Sequence, residues 1–292
     1  MDIRTVLASA LLAATGALPA SGDDVVRWDV PGVSSHAWES HPAIDPRTHD
    51  LWFVRSDSHF SGWQLMWSRC LAGAWSAPAP APVAATAGIE ADPWFSADGA
   101  SLYFISSRAT GSRDSAGLDI WRASRDAQGR WQAPTRLPEP VNSAQAEWFP
   151  RPAADGWLYF GSRRPGGLGK DDIWRARRTT TGAWQVENAG PAINSTGAEY
   201  EFQPAANGRW ALLATDDGLF RVERGTDGWT PRVRLDATIN ATGTEIGPLL
   251  SPDGTAFAFS RDAGDGRSGE FYLAHPGNAQ AWPRCDRQAS HR

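Results

Sequence analysis

One tetrapeptide constrains this chain more than its composition does. Glu-x-x-Pro occurs as "ESHP" at Glu39, "EADP" at Glu90, "EWFP" at Glu147, "EFQP" at Glu201 and "EIGP" at Glu245, at steps of 51, 57, 54 and 44 residues. A period of this size marks a repeat architecture, in which each unit is too small to bury its own apolar face. Turn signals follow in four copies: "SADG" from Ser96, "AADG" from Ala153, "AANG" from Ala205 and "SPDG" from Ser251, with "DPRTHD" from Asp45 in the first. Asp-Gly and Asn-Gly supply the positive φ of tight hairpins.

Apolar runs come next: "LWFV" from Leu51, "LYFI" from Leu102, "WLYF" from Trp157, "WALLA" from Trp210 and "FAF" from Phe257. None alternates apolar with polar, so these strands are expected to be covered on both faces. A Gly-rich loop leads to a third segment ("QLMW", "LDIW", "DDIW", "GLFR", "EFYL"), and a fourth carries Trp ("GAWSAP", "GRWQAP", "GAWQ", "DGWTP", "AWP"). Four short strands in about fifty residues make one propeller blade. The expected fold is therefore all-β, a β-propeller of four-stranded blades, with five blades from the five units.

The connectors point to how the ring closes. "VNSAQAE" (Val141 to Glu147) and "INATGTE" (Ile239 to Glu245) match "VSSHAWE" (Val33 to Glu39), which no blade precedes. That stretch reads as the outgoing edge of the last blade, supplied by the N-terminus so that the ring is closed by the N-terminal strand without bare edges. First and last blades then become neighbours, which makes a Cys70–Cys285 disulfide feasible if their Cα atoms lie within ~7 Å. The chain holds no other cysteine.

"EADPWFSADGASLYFISSR…GLDIW" and "EWFPRPAADGWLYFGSRRPGGLGKDDIW" resemble the WD40-like, Pro-Asp-type repeats of the TolB-type propeller family. The resemblance runs from about residue 30 to 283, and is strongest in the second and third copies. It implies a propeller that binds other envelope proteins. Members of that family commonly have six blades, which makes six the alternative to five. The other domains usually joined to this repeat have no counterpart here.

Residues 1–20 read as a signal peptide, with Arg4 before the apolar run Val6 to Leu18 and small residues at Ala17 and Ala20. Residues 24–285 are expected to be one propeller domain and 286–292 a tail, in a periplasmic or secreted protein. No later stretch reaches the ~20 apolar residues of a membrane helix. A net charge of −5 carries no basic footprint for nucleic acid.

Two roles compete for the carboxylates Glu39, Glu90, Glu147, Glu201 and Glu245, which begin the innermost strands. As a ring at the channel mouth, with Trp38, Trp94 and Trp148 beside them, they form a binding site for a cation or basic peptide. Neighbouring charges ~9 Å apart repel by about 0.5 kcal/mol in water and about 2 kcal/mol at an effective dielectric of 20, so a dry ring needs partners. Arg55, Arg108, Arg163, Arg164 and Arg261 stand just past the second strands and supply them. The other role is therefore architectural, each Glu a hydrogen-bond acceptor linking blades. In the fourth copy the connector spacing selects Glu199 and the tetrapeptide selects Glu201. Trp121, Trp131, Trp174 and Trp184 recur once per blade and are expected to be packing.

No catalytic residue, cofactor or metal site is expected. No Gly-x-Ser-x-Gly elbow exists, and His36, His41, His49 and His59 fit no zinc spacing and are expected on solvent-facing loops. Asp119 and Asp172 share a repeat position and read as turn residues. The expected function is a non-catalytic scaffold that binds an envelope protein or peptide. The alternative is a hydrolytic, carbohydrate-active propeller using two mouth carboxylates.

Overall fold

In a computed structural model the chain forms a five-bladed β-propeller, described for residues 25–109, 117–262, 270–274 and 282–285. The expected signal peptide and C-terminal tail lie outside the described residues. The inner strands are Trp38–Ile44, Glu90–Phe95, Glu147–Pro152, Glu199–Pro204 and Ile246–Leu250, and each contacts the next around the ring, the last contacting the first. The second strands (Leu51–Ser56, Ser101–Ser106, Leu158–Ser162, Trp210–Thr215, Phe257–Arg261) are buried on both faces, as their unbroken apolar runs require.

Five apolar clusters fill the five seams. Trp52 and Leu65 meet Phe95 and Phe104 between blades one and two, and Ile105 and Ile120 meet Phe160 and Trp174 between two and three. Tyr159 and Ile173 meet Phe202 and Leu213, Leu212 and Trp210 meet Phe257 and Phe259, and Phe271 meets Phe53 and Leu51 at the closing seam. The repeated tryptophans belong to this packing: Trp131 sits edge-on to Trp52 at 5.9 Å, and Trp174 and Trp184 belong to the cluster between blades two and three.

Two details differ from the sequence expectation. The N-terminal strand closes the ring, but it is Val25–Arg27, antiparallel to Tyr272–Ala274, and Val33–Glu39 is the connector that follows it. Arg27 reinforces the join through an ion pair with Glu270 at 2.7 Å. The Trp-bearing segments are not, in general, the fourth strands. In blades one, two and four they fold back as small arms (Cys70 against Trp75, Arg125 against Trp131, Arg224 against Trp229), and short outer strands follow at Ala79–Pro80, Thr135–Arg136 and Val233–Arg234. Only in blade three does Trp184 open the outer strand, Trp184–Asn188. The C-terminal Trp282–Cys285 segment is held to blade one by the Cys70–Cys285 disulfide, with a Cα–Cα separation of 5.2 Å.

Every inner strand carries a one-residue bulge near its start. In four blades the bulged residue has positive φ and stands immediately before the proline of the tetrapeptide: His41 (50°), Asp92 (57°), Phe149 (48°) and Gly247 (61°). A bulge breaks the ladder, and a proline there leaves no orphaned N–H. The fourth blade settles which Glu is which. Glu199 begins its strand opposite Thr215, as Glu147 does opposite Ser162, so Glu201 stands at the bulge and matches His41, Asp92, Phe149 and Gly247.

Candidate functional site

The structure places the strand-starting carboxylates Glu39, Glu90, Glu147, Glu199 and Glu245 inside the protein, almost fully buried. Each is engaged by its own connector and by an arginine. Glu147 accepts from the Ser143 amide (3.2 Å) and hydroxyl (2.5 Å), from Ser162 Oγ (3.2 Å) and from Arg164 (2.8 Å). Glu39 is held alike by Ser35 and Arg55, Glu199 by Ser195 and Arg232, and Glu245 by Thr242 and Arg261. Glu90 takes the Ala85 amide, Ser106 and Arg108.

Four of these arginines do three jobs at once. Arg164 also donates to Val141 O at 2.5 Å and lies over Phe160 at 4.9 Å; Arg108, Arg261 and Arg55 repeat the pattern with Val83, Ile239 and Val33. The connector asparagines pin the other side, Asn142 bridging the Ile120 N–H and C=O, and Asn194 and Asn240 doing the same for Ile173 and Leu219. The connector is thus clipped to the blade before it and the blade after it. Arg163, grouped with these by sequence, pairs with Asp171. Asp119 is held by Arg136, and Asp172 caps the Leu168 and Gly169 amides.

Burial pushes the Glu147 carboxyl above the usual range, opposed by its hydrogen bond from Ser143 and by Arg164. Glu147→Gln replaces one acceptor oxygen by an NH2 group that faces donors, and is expected to cost about 1–3 kcal/mol. Thermal melting of the variant should fall by several degrees. An unchanged melting temperature would show that the Glu147 carboxylate does not clip the connector.

The bulge column, not the Glu column, meets at the axis. Asp92 Oδ2 accepts from the Phe149 N–H of the next blade at 3.0 Å, and Glu201 Oε2 accepts from the Gly247 N–H of its next blade at 3.1 Å. Gly247 is required there, because a Cβ would stand 2.8 Å from His41 Cα. Arg151, from the inner strand of blade three, forms an ion pair with Glu201 and stacks over Trp94 at 4.3 Å. His41 Nε2 lies 3.9 Å from Asp92 Oδ1, and its Nδ1 is 2.9 Å from Ser40 Oγ. His41, Asp92, Arg151 and Glu201 are all buried. This corrects the expectation that His41 is solvent-facing; His36 and His59 are exposed as expected.

Aromatic rings surround the entry to this cluster. Trp38 packs on Phe60 (5.0 Å), Phe60 on Trp63 (5.2 Å) and Trp63 on Trp148 (6.0 Å), while Phe149 bridges His41 (5.0 Å) and Tyr200 (5.9 Å). Trp38, Phe60, Trp63, Trp148 and Tyr200 are only partly buried. Phe60 itself has φ 56°, which a bulky side chain adopts only under restraint. Its amide bonds to Asp57 O and its carbonyl takes the Trp63 indole N–H at 2.7 Å. Of the sequence candidates, Trp38 and Trp148 stand at the mouth, and Trp94 lies beneath Arg151.

Burial, aided by the nearby Arg151 charge, pulls His41 down to about 3, so it is neutral. Burial raises Asp92 to about 7 against the pull of Arg151 and the Phe149 N–H, and burial also raises Glu201. A carboxyl raised on folding contributes stability that is full below its unfolded pKa and is lost as pH rises through the folded one. Asp92 therefore makes the protein less stable between about pH 4 and pH 7 as pH increases. Relative to Asp92→Asn, the wild-type protein should lose stability over that window, as read by chemical denaturation at each pH. A constant difference between the two proteins would show that Asp92 does not titrate there.

Among the described residues, no group of three or more His, Cys, Asp or Glu side chains is placed to hold a metal ion. No helix among them is long and apolar enough to cross a membrane. A cavity of about 610 Å³ lies at the other end of the closing seam, lined by Asp45, Pro46, His49, Pro252, Asp253 and Trp282 among others. Its carboxylates are already engaged, Asp45 by Arg125 and Asp253 by Ser251 and Thr255.

No protein-family model matches the chain, and no curated protein matches it. Similar solved structures include a candidate TolB from Agrobacterium tumefaciens at 16% identity and TM-score 0.48, covering 81% of this chain and 76% of that one. A gluconolactonase from Xanthomonas campestris matches at 13% identity and TM-score 0.48 over 86% of this chain and 89% of that one. An α-L-arabinofuranosidase from Lactobacillus brevis matches at 12% identity and TM-score 0.48 over 85% and 95% respectively. At these levels the likenesses carry no argument about ligand or reaction.

Proposed function

We propose that this protein is an exported, TolB-like propeller that serves as a non-catalytic binding scaffold in the cell envelope, and that it receives a protein or peptide partner at the aromatic mouth of its axis. One observation carries the reading. The carboxylates at this end are held by the chain's own arginines, hydroxyls and amides, while the partly buried rings of Trp38, Phe60, Trp63, Trp148 and Tyr200 face the entry. Aromatic side chains clustered at an accessible centre and rimmed by polar loops are the usual anchors of a protein interface. A cavity of about 30 Å³ at the axis has no room for a sugar ring between two carboxylates, which weighs against glycoside hydrolysis there.

Photo-crosslinking residues introduced at His59 and His36, both exposed at the mouth end, test the reading against Asp155, exposed in a turn at the opposite end. Mouth positions should give one discrete adduct in envelope extract, and the Asp155 position none. Adducts from Asp155 alone would overturn the placement. A hydrolytic activity abolished by Asp92→Asn would overturn the scaffold.

A further inference from the structure

The innermost part of the mouth is a small aromatic cavity with one polar side. Phe60, Trp63, Trp148 and Phe149 wall a cavity of about 30 Å³, with Val54 and Ala91 behind them and His41 and Asp92 on its polar side. That volume admits roughly two water-sized groups. His41 Nε2 is buried and has no hydrogen-bond partner among the described residues. With the ring proton on Nδ1 toward Ser40 Oγ, Nε2 presents a lone pair 3.9 Å from Asp92 Oδ1. Asp92 Oδ2 is occupied by the Phe149 N–H, which leaves Oδ1 facing His41.

We propose that this cavity is a receptor for one primary ammonium group, taken between Asp92 Oδ1 and His41 Nε2 and enclosed by the faces of the surrounding aromatic rings. The proposal deepens the scaffold reading and rests on it for the location of the mouth. Three features select this ligand. Two acceptors 3.9 Å apart suit two N–H bonds from a single tetrahedral nitrogen, whose carbon substituent leads back toward the mouth. Aromatic faces attract a desolvated cation and repel an anion. The charge count also fits. The groups facing Asp92 are neutral His41, cationic Arg151 and anionic Glu201, so an ionised Asp92 leaves the cluster with one unbalanced negative charge. A monocation cancels it. A guanidinium is disfavoured by size, and a quaternary ammonium has no N–H for the two acceptors.

The ammonium could come from a lysine of a partner protein or from a free amine, and the probes separate the two. Nα-acetyl-lysine methylamide, propylammonium and the neutral Nα-acetyl-norleucine methylamide are titrated into the full chain, read by tryptophan fluorescence and calorimetry. Saturable binding of the lysine probe is expected, with the norleucine probe weaker by about tenfold or more. Lysine binding should also weaken by about tenfold between about pH 8 and about pH 5.5, as Asp92 takes up its proton. A tighter lysine probe points to a protein partner, and equal affinity for propylammonium points to a free amine. Asp92→Asn and Trp148→Ala should each abolish saturation, and if either fails to fold, the norleucine and pH arms on the wild-type protein still decide. Equal binding of lysine and norleucine, or no saturation with any amine, overturns the receptor. In that event, mouth adducts that persist in the crosslinking experiment leave the scaffold standing, whereas their absence removes both.

Discussion

Arg151→Ala is expected to lower the stability of the propeller by about 3–5 kcal/mol, the range for breaking a buried ion pair by removing one partner. In a domain of this size that is a fall in melting temperature of roughly 10 °C. The cause is not only the lost pair. Glu201 is completely buried, and without Arg151 it keeps only the Gly247 N–H as a hydrogen-bond partner among the described residues. Asp92 loses the same cation, which now opposes the effect of its burial. Both carboxyls move further up, so the deficit of the variant should widen as pH rises from about 5 to 8, where ionising them in the folded state costs most. Trp94 also loses the guanidinium that covers it. The double variant Arg151→Met, Glu201→Gln should recover much of the loss, since the buried charge is then gone with its partner. Denaturation curves of the two variants check this. A double variant as unstable as the single one would show that packing over Trp94, and not charge, is what Arg151 contributes.

Removing the disulfide by Cys70→Ser with Cys285→Ser should cost about 2–5 kcal/mol. The bond closes a loop of 215 residues in sequence, and the chain-entropy effect grows with loop length. It also acts at the one seam made by distant parts of the chain. There the other ties include the three-residue pairing of Val25–Arg27 with Tyr272–Ala274, the Arg27–Glu270 ion pair, the cluster of Phe271, Phe53 and Leu51, and the contact of the inner strands Trp38–Ile44 and Ile246–Leu250. Mass spectrometry after alkylation with and without reductant establishes the pairing, and denaturation of the serine variant measures its contribution. An unchanged unfolding midpoint would assign closure to these non-covalent ties.

The repeat was legible because its constraints run along the chain. Turn chemistry at "SADG" and "SPDG", doubly buried runs such as "LYFI" and the tetrapeptide itself all recur at a fixed distance, and they specify blades, strand order and blade number. The closing strand was half legible. Val33–Glu39 repeats the other connectors, and in blade two the outer strand Thr135–Arg136 stands a few residues before Val141, just as Val25–Arg27 stands before Val33. That offset was the available signal. The axial cluster was not legible, because its members lie on different blades and are related radially. His41, Asp92, Phe149, Glu201 and Gly247 share one structural position with no shared residue type. The signal that remained was a polar side chain just before the proline of an otherwise covered strand. In blade four a proline two residues later imitated the motif and drew Glu201 into the wrong column, which hid its relation to Asp92.

The way the ring closes also sets an order of assembly. Val25–Arg27 is made among the first of the described residues, and its partner strand Glu270–Ala274 among the last. Blades one to four can stack on one another before the ends of the chain meet, each offering a face to its successor, but the two flanks of such an arc stay bare. Contacts this far apart in sequence are the slowest to form. Until those strands meet, an arc of stacked blades presents an uncovered sheet face at each flank. It becomes a ring only when its beginning and its last strand meet.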